Sequence, residues 1–137
     1  MIIDMHTHIN NRWDHMQRKM KPFTVKGLIR IMDSLGIEKF VLLPVGTSPE
    51  TRFFYMGTEE ILKMYRKYPD RVIPFCNVDP RAGSNSDKTD FSWILEHYRK
   101  QGCRGLGELT ANLYIDDPMY MNLFRHCGKI GFPVVVH

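Results

Sequence analysis

Near its start the chain reads Asp4-Met5-His6-Thr7-His8. In an extended strand alternate side chains share a face, so His6 and His8 project together, and two imidazoles so placed can converge on one cation at the 2.0–2.1 Å of a zinc–nitrogen bond. Asp4 has the same parity and can accept a hydrogen bond from a ligating ring, or simply solvate the start of the chain. Two further residues are out of place for buried strands. Arg104 to Glu108 ends in a carboxylate, and Pro133 to His137 ends in a histidine after three valines expected to be buried. Glutamate is rarely buried without a partner, because desolvating its charge costs several kcal/mol. Each has a plainer reading: His-x-His occurs by chance, Glu108 can open a solvated turn, and His137 can be an exposed terminus. Their coincidence at three strand ends favours a site for a divalent cation, with Zn2+ first and Mn2+, Ni2+ or Fe2+ as alternatives. Such a cation lowers the pKa of water from ~15.7 toward ~7 and supplies hydroxide near neutrality, to attack a carbonyl or phosphoryl centre.

The elements that must position these residues follow from periodicity. Apolar, β-branched runs begin near positions 1, 39, 72, 104 and 133, with a helical pattern between each pair. Val25, Leu28, Ile29, Met32 and Leu35 mark the first helix, with Thr24 as cap and Gly36 as stop. The second starts at Thr58 and stops before Pro69, and the third runs from about Asp90 to Gln101. The fourth starts at Asp117-Pro118 and ends at Gly131. Strand and helix in alternation predict an α/β fold with parallel pairing, in one domain spanning residues 1–137. Five strands can complete an open doubly wound sheet. The mean spacing of about 33 residues would instead carry eight units to about 264, near the length of a (β/α)8 barrel.

The composition is that of a folded domain: of 137 residues, 43% are hydrophobic and 25% charged, with 19 Lys and Arg against 15 Asp and Glu. That excludes disorder and coiled coil. No apolar run approaches the roughly 18 residues of a membrane span, and the N-terminus lacks a signal-peptide pattern, so a cytoplasmic protein with no membrane partner is expected. Cys76, Cys103 and Cys127 lack metal or disulfide spacing and are expected as reduced, buried thiols. The net charge of +4 is spread along the chain, so no nucleic-acid partner is expected. The segment from Ile9 to Phe23 carries Arg12, Arg18, Lys19 and Lys21 against Asp14; this balance points to a small anionic substrate such as a carboxylate or phosphate, although a charged surface loop is the more common explanation. Trp13, His15 and Asn77 are the candidate substrate contacts. Asp79, before Pro80, is expected to form a turn, and His97 and His126 to be solvated or packing residues.

The stretches IIDMHTH at Ile2 to His8, RGLGEL at Arg104 to Leu109 and GFPVVVH at Gly131 to His137 together resemble the amidohydrolase superfamily of metal-dependent hydrolases, in its amidohydrolase-related branch and the TatD-type hydrolases. The resemblance implies part of a (β/α)8 barrel, about five strands and four helices of the eight-fold unit. It implies that His6 and His8 bind one divalent metal, that Glu108 bridges to a second or approaches the first, and that His137 binds from the fifth strand. The strand-six histidine and the strand-eight aspartate, the usual general base, have no counterpart here. Glu108 stands where amidase branches carry a carboxylated lysine, which leaves a mononuclear centre open.

The reading is therefore the N-terminal part of a metal-dependent hydrolase acting on an amide, ester or related bond. A metal-dependent, non-hydrolytic decarboxylase of the same superfamily is the alternative. From another class, a non-catalytic α/β binding module would need a phosphate cradle after the first strand, and the segment from Ile9 to Phe23 contains no glycine. The 137 residues are expected to be incomplete for catalysis. The first and fifth strands should then be apolar edges, covered by further chain or by a second copy in a homo-oligomer.

Overall fold

The computed structural model describes residues 1–10, 22–45 and 56–137. Trp13, His15 and the basic cluster from Arg12 to Lys21 lie outside the described residues.

Among the described residues nine elements alternate: β1 (Ile3–Thr7), α1 (Val25–Ser34), β2 (Lys39–Leu42), α2 (Thr58–Lys67), β3 (Val72–Pro74), α3 (Ser92–Lys100), β4 (Leu106–Leu109), α4 (Pro118–Ile130) and β5 (Val134–Val136). Local chemistry accounts for the helix ends. Thr24 is extended and its hydroxyl accepts from Gly27 N at 3.2 Å, capping α1. In α2, Glu59 and Glu60 occupy the first turn and Arg66 and Lys67 the last, each sign opposing the helix dipole. Asp117 accepts from Met119 N at 2.8 Å ahead of Pro118, and Gly131 closes α4 in the left-handed conformation. Helix α3 starts at Ser92 rather than Asp90, because the Asp90 carboxylate accepts from Ser92 N at 2.9 Å and holds the entering turn.

Strands β1, β2 and β3 pair in parallel, as do β4 and β5. A parallel bridge from Cys76 to Leu106, with Arg104 N donating to Pro74 O at 2.8 Å and Gly107 N to Cys76 O at 2.8 Å, joins β3 to β4. Spatial order thus follows chain order from β1 to β5. A doubly wound sheet reverses its order at a switch point; a barrel wall does not. Among the described residues β1 pairs only with β2, and β5 only with β4.

The helices cover one face of the sheet. Val25, Leu28, Met32, Phe40, Leu42 and Ile61 form one buried cluster there, and Cys76, Leu95, Leu106, Leu123 and Cys127 belong to another. The opposite face carries a small cluster of Val41, Leu43 and Phe75, flanked by Ile73 and Val135. Two glycines of the fourth strand segment permit it. A Cβ on Gly105 would lie 2.4 Å from the Phe75 ring, and one on Gly107, at φ 139°, would lie 2.6 Å from Val135 O. The three terminal valines are not buried as expected: Val134 and Val135 are half-buried and Val136 is 38% exposed. The physical reason is that among the described residues β5 has a strand neighbour on one side only.

Strand β1 contains an irregularity that matters for the site. Asp4 pairs with Phe40 and Thr7 with Leu42, so three steps along β1 match two along β2. The extra residue resets the alternation. Phe40 and Leu42 both belong to the helix side, so pairing assigns Asp4 and Thr7 to that side, with His6 and His8 flanking Thr7 on the other. Asp4 therefore does not share the histidines' parity, and its carboxylate accepts from His6 backbone N at 3.0 Å.

Candidate metal centre

The C-terminal ends of β1, β4 and β5 bring three side chains onto one carboxylate. Glu108 Oε2 lies 3.0 Å from His8 Nε2 and 3.4 Å from His6 Nε2, and the two imidazole nitrogens are 3.0 Å apart. The other carboxylate oxygen, Oε1, receives a 2.6 Å hydrogen bond from His137 Nδ1. The Glu108 side chain is 5% exposed, whereas His6 and His137 are open to solvent.

The ring state of His8 follows from its second nitrogen. Nδ1 faces Leu43 O at 3.2 Å; a carbonyl only accepts, so Nδ1 carries the hydrogen in the neutral ring and Nε2 presents its lone pair. Burial pulls the His8 pKa below its ordinary value, against the opposing pull of Glu108 and the Leu43 carbonyl. A neutral His8 thus directs a lone pair at a carboxylate oxygen and a second imidazole. His6 Nε2, His8 Nε2 and Glu108 Oε2 thus form a group that can hold a cation. The separations fit one: ligands on a sphere of about 2.1 Å radius stand about 3.0–3.4 Å apart in octahedral or tetrahedral arrangement. His6, His8 and Glu108 form the one such group of three among the described residues, and His137 stands outside it, on the far oxygen.

Glu108 is held from behind as well. Its backbone N donates to Pro44 O at 3.2 Å, and His137 N donates to the neighbouring Leu109 O at 3.1 Å. Asn77, buried just beyond β3, donates its side-chain amide to Glu108 O. Its own backbone N–H is taken by Thr58 Oγ1 at 3.1 Å. The arrangement is invisible locally; the signal available in sequence was an amide at the end of an otherwise apolar strand.

The remaining polar residues have structural partners. Asp79 makes a turn, accepting from Arg81 N at 2.8 Å and Ala82 N at 2.9 Å, and its carboxylate pairs with the Arg81 guanidinium at 3.1 Å. His126 bonds Asn122 O at 2.9 Å and packs edge-on against Phe91, and His97 contacts Gln101 at 2.7 Å on an exposed face. Beside His137 a cleft of about 210 Å³ is lined by Leu109, Thr110, Asn112, Tyr120 and Val136, among others. No helix among the described residues is long and apolar enough to cross a membrane.

No protein-family model matches the sequence, and no curated protein matches it. Solved structures do share its fold. A probable 2-pyrone-4,6-dicarboxylic acid hydrolase from Acinetobacter baumannii, with citric acid bound, is 22% identical with a TM-score of 0.64, covering 99% of this chain and 49% of that one. A 5-carboxyvanillate decarboxylase from Novosphingobium aromaticivorans, complexed with manganese and 4-hydroxy-3-methoxy-5-nitrobenzoic acid, is 18% identical with a TM-score of 0.68, covering 99% and 49%. An uncharacterised TIM-barrel protein from Bordetella bronchiseptica is 17% identical with a TM-score of 0.67, covering 98% and 54%. The chain spans about half the length of each. At these identities the likeness is one of fold: an α/β arrangement shared with TIM-barrel and amidohydrolase-type enzymes.

Proposed function

We propose that this chain is part of a metal-dependent enzyme of the amidohydrolase type, forming about half of a (β/α)8 barrel and holding one divalent cation between His6, His8 and Glu108. The observation that carries the reading is the meeting of His6 Nε2, His8 Nε2 and Glu108 Oε2 within 3.0–3.4 Å of one another. A cation bound there supplies Lewis-acid chemistry, activating water or polarising a substrate oxygen. Glu108 supplies the negative charge, and His6 and His8 stay neutral donors. His137 holds the second carboxylate oxygen and, on the exposed side, is placed to meet substrate or to join the ligands once its ring turns. The histidine and carboxylate set suits zinc. The manganese in the Novosphingobium decarboxylase makes Mn2+ an equal candidate.

Hydrolysis and decarboxylation are supported about equally, since neighbours of both kinds share the fold. The Acinetobacter structure holds citric acid and the Novosphingobium one a nitrobenzoic acid, and the basic segment from Arg12 to Lys21 favours the same class of small carboxylate substrate, with Trp13 and His15 as proposed contacts.

Calorimetric titration of the chelator-treated chain with ZnCl2 and MnCl2 tests the site. One bound ion, lost in the His6→Ala, His8→Ala double variant, is expected; no binding, or binding unchanged in that variant, overturns the assignment. Assays on the chain within its full-length protein, comparing lactone or ester opening with carbon dioxide release from aromatic carboxylates, divide the two reactions.

A further inference from the structure

Glu108, the penultimate residue of β4, carries a carboxylate buried against the histidines. Its backbone N donates to Pro44 O, and its carbonyl is held by the side chain of Asn77. The amide of Asn77 donates to Glu108 O, and the Asn77 backbone N–H is itself anchored on Thr58 Oγ1 at 3.1 Å, at the first residue of α2. All three residues are buried, at 4–5% exposure, so each bond replaces water that cannot reach these groups.

We propose that Thr58 and Asn77 are positioning residues for Glu108, forming a relay from the start of α2 to the backbone of the metal-binding carboxylate. The inference rests on the metal-centre reading above. The relay reaches Glu108 through its backbone carbonyl, so it sets where the carboxylate stands without using either of its oxygens. An isosteric aspartate at position 77 would place a negative charge against the Glu108 carbonyl, and would push the backbone away from the site. Thr58→Val removes the hydroxyl acceptor while keeping the volume, and Thr58→Ser retains the acceptor.

The test is the affinity for Zn2+ and Mn2+, measured by competition with a chelating indicator, beside the melting temperature of the metal-free protein. Asn77→Asp and Asn77→Ala are expected to weaken both metals about 10–100-fold, the usual effect of removing a group that orients a ligand. Thr58→Val is expected to do so to a smaller degree, and Thr58→Ser to bind as wild type. Leu123→Ala, a core truncation in α4 that removes no hydrogen bond to Glu108, serves as control: it should lower the melting temperature and leave the affinity of the folded protein unchanged. If both Asn77 variants fail to fold, the Thr58 pair carries the test, and equal affinity in Thr58→Val and Thr58→Ser then overturns the relay. Affinities in the Asn77 variants within twofold of wild type, with wild type binding metal, overturn the positioning role alone. A wild-type chain that binds neither metal overturns the underlying reading as well.

Discussion

His8 Nε2 stands 3.0 Å from Glu108 Oε2 while the opposite ring nitrogen faces the Leu43 carbonyl at 3.2 Å. One imidazole is therefore fixed in tautomer by the residue that follows β2 and aimed at a carboxylate delivered by β4. Removing either end should break the site. His8→Ala and Glu108→Gln are each expected to lower Zn2+ affinity by more than about 100-fold, beyond what loss of a supporting residue costs. His137→Ala, which removes only the partner of the far oxygen, should cost about 10–100-fold. Indicator competition on the purified variants measures all three; Glu108→Gln binding as tightly as wild type would refute the carboxylate's role as a ligand.

Metal removal should register as lost stability, because a cation that binds only the folded chain stabilises it by mass action. At a free concentration about 100 times Kd the gain is about 2.7 kcal/mol, or roughly 8–12 °C in melting temperature for a chain of this size. Excess EDTA is expected to reverse that shift in wild type. The His6→Ala, His8→Ala variant should melt at the same temperature with or without chelator.

Two glycines should respond with opposite sign to alanine. Gly105→Ala places a methyl 2.4 Å from the Phe75 ring, inside the small cluster that fills the face opposite the helices, and should cost about 1–3 kcal/mol. Gly128 lies within α4 with nothing within 4 Å of its Cβ position. Gly128→Ala should add about 0.5–1 kcal/mol by restricting the unfolded chain and improving helix propensity. Denaturant midpoints of the two variants decide both expectations.

The core thiols make a pH dependence predictable. Burial pushes Cys127 up to about 12 from 9.0, and Cys76 moves the same way, through the neighbouring Cys103 thiol and then through burial. Below pH 9 folded and unfolded chains both keep the Cys127 proton, so this thiol contributes no slope. Between pH 9 and about 12 the unfolded chain releases it and the folded chain does not, so stability falls as pH rises. Cys127→Ala should lose stability less steeply over that window than wild type. Iodoacetamide at pH 8 should label Cys127 only after unfolding, and rapid labelling of the native protein would contradict its burial.

Much of the scaffold was legible because the signals for it are local. The caps at Thr24, Asp117 and Gly131 and the apolar stripes of the helices depend on residues a few positions apart, so the helix ends fell within about two residues of their expected places. The spacing of His6 and His8 likewise acts within one strand, and two residues of extended backbone suffice to turn both rings the same way. What local spacing could not contain is register. The extra residue in β1 moved Asp4 to the helix side, and no pattern within Asp4 to His8 announces it, because a bulge is defined by the strand alongside. The lone edge of β5, which leaves Val136 exposed where a buried valine was expected, depends equally on what stands beside it. The same holds for the centre: that Glu108 gives one oxygen to His6 and His8 and the other to His137, and that Asn77 holds its backbone carbonyl, depends on contacts between residues 29 to 102 positions apart. Sequence determines the chemical types and the face each presents along its own strand. Distances between strand ends are set by pairing, curvature and packing across the whole sheet, which only the folded chain decides.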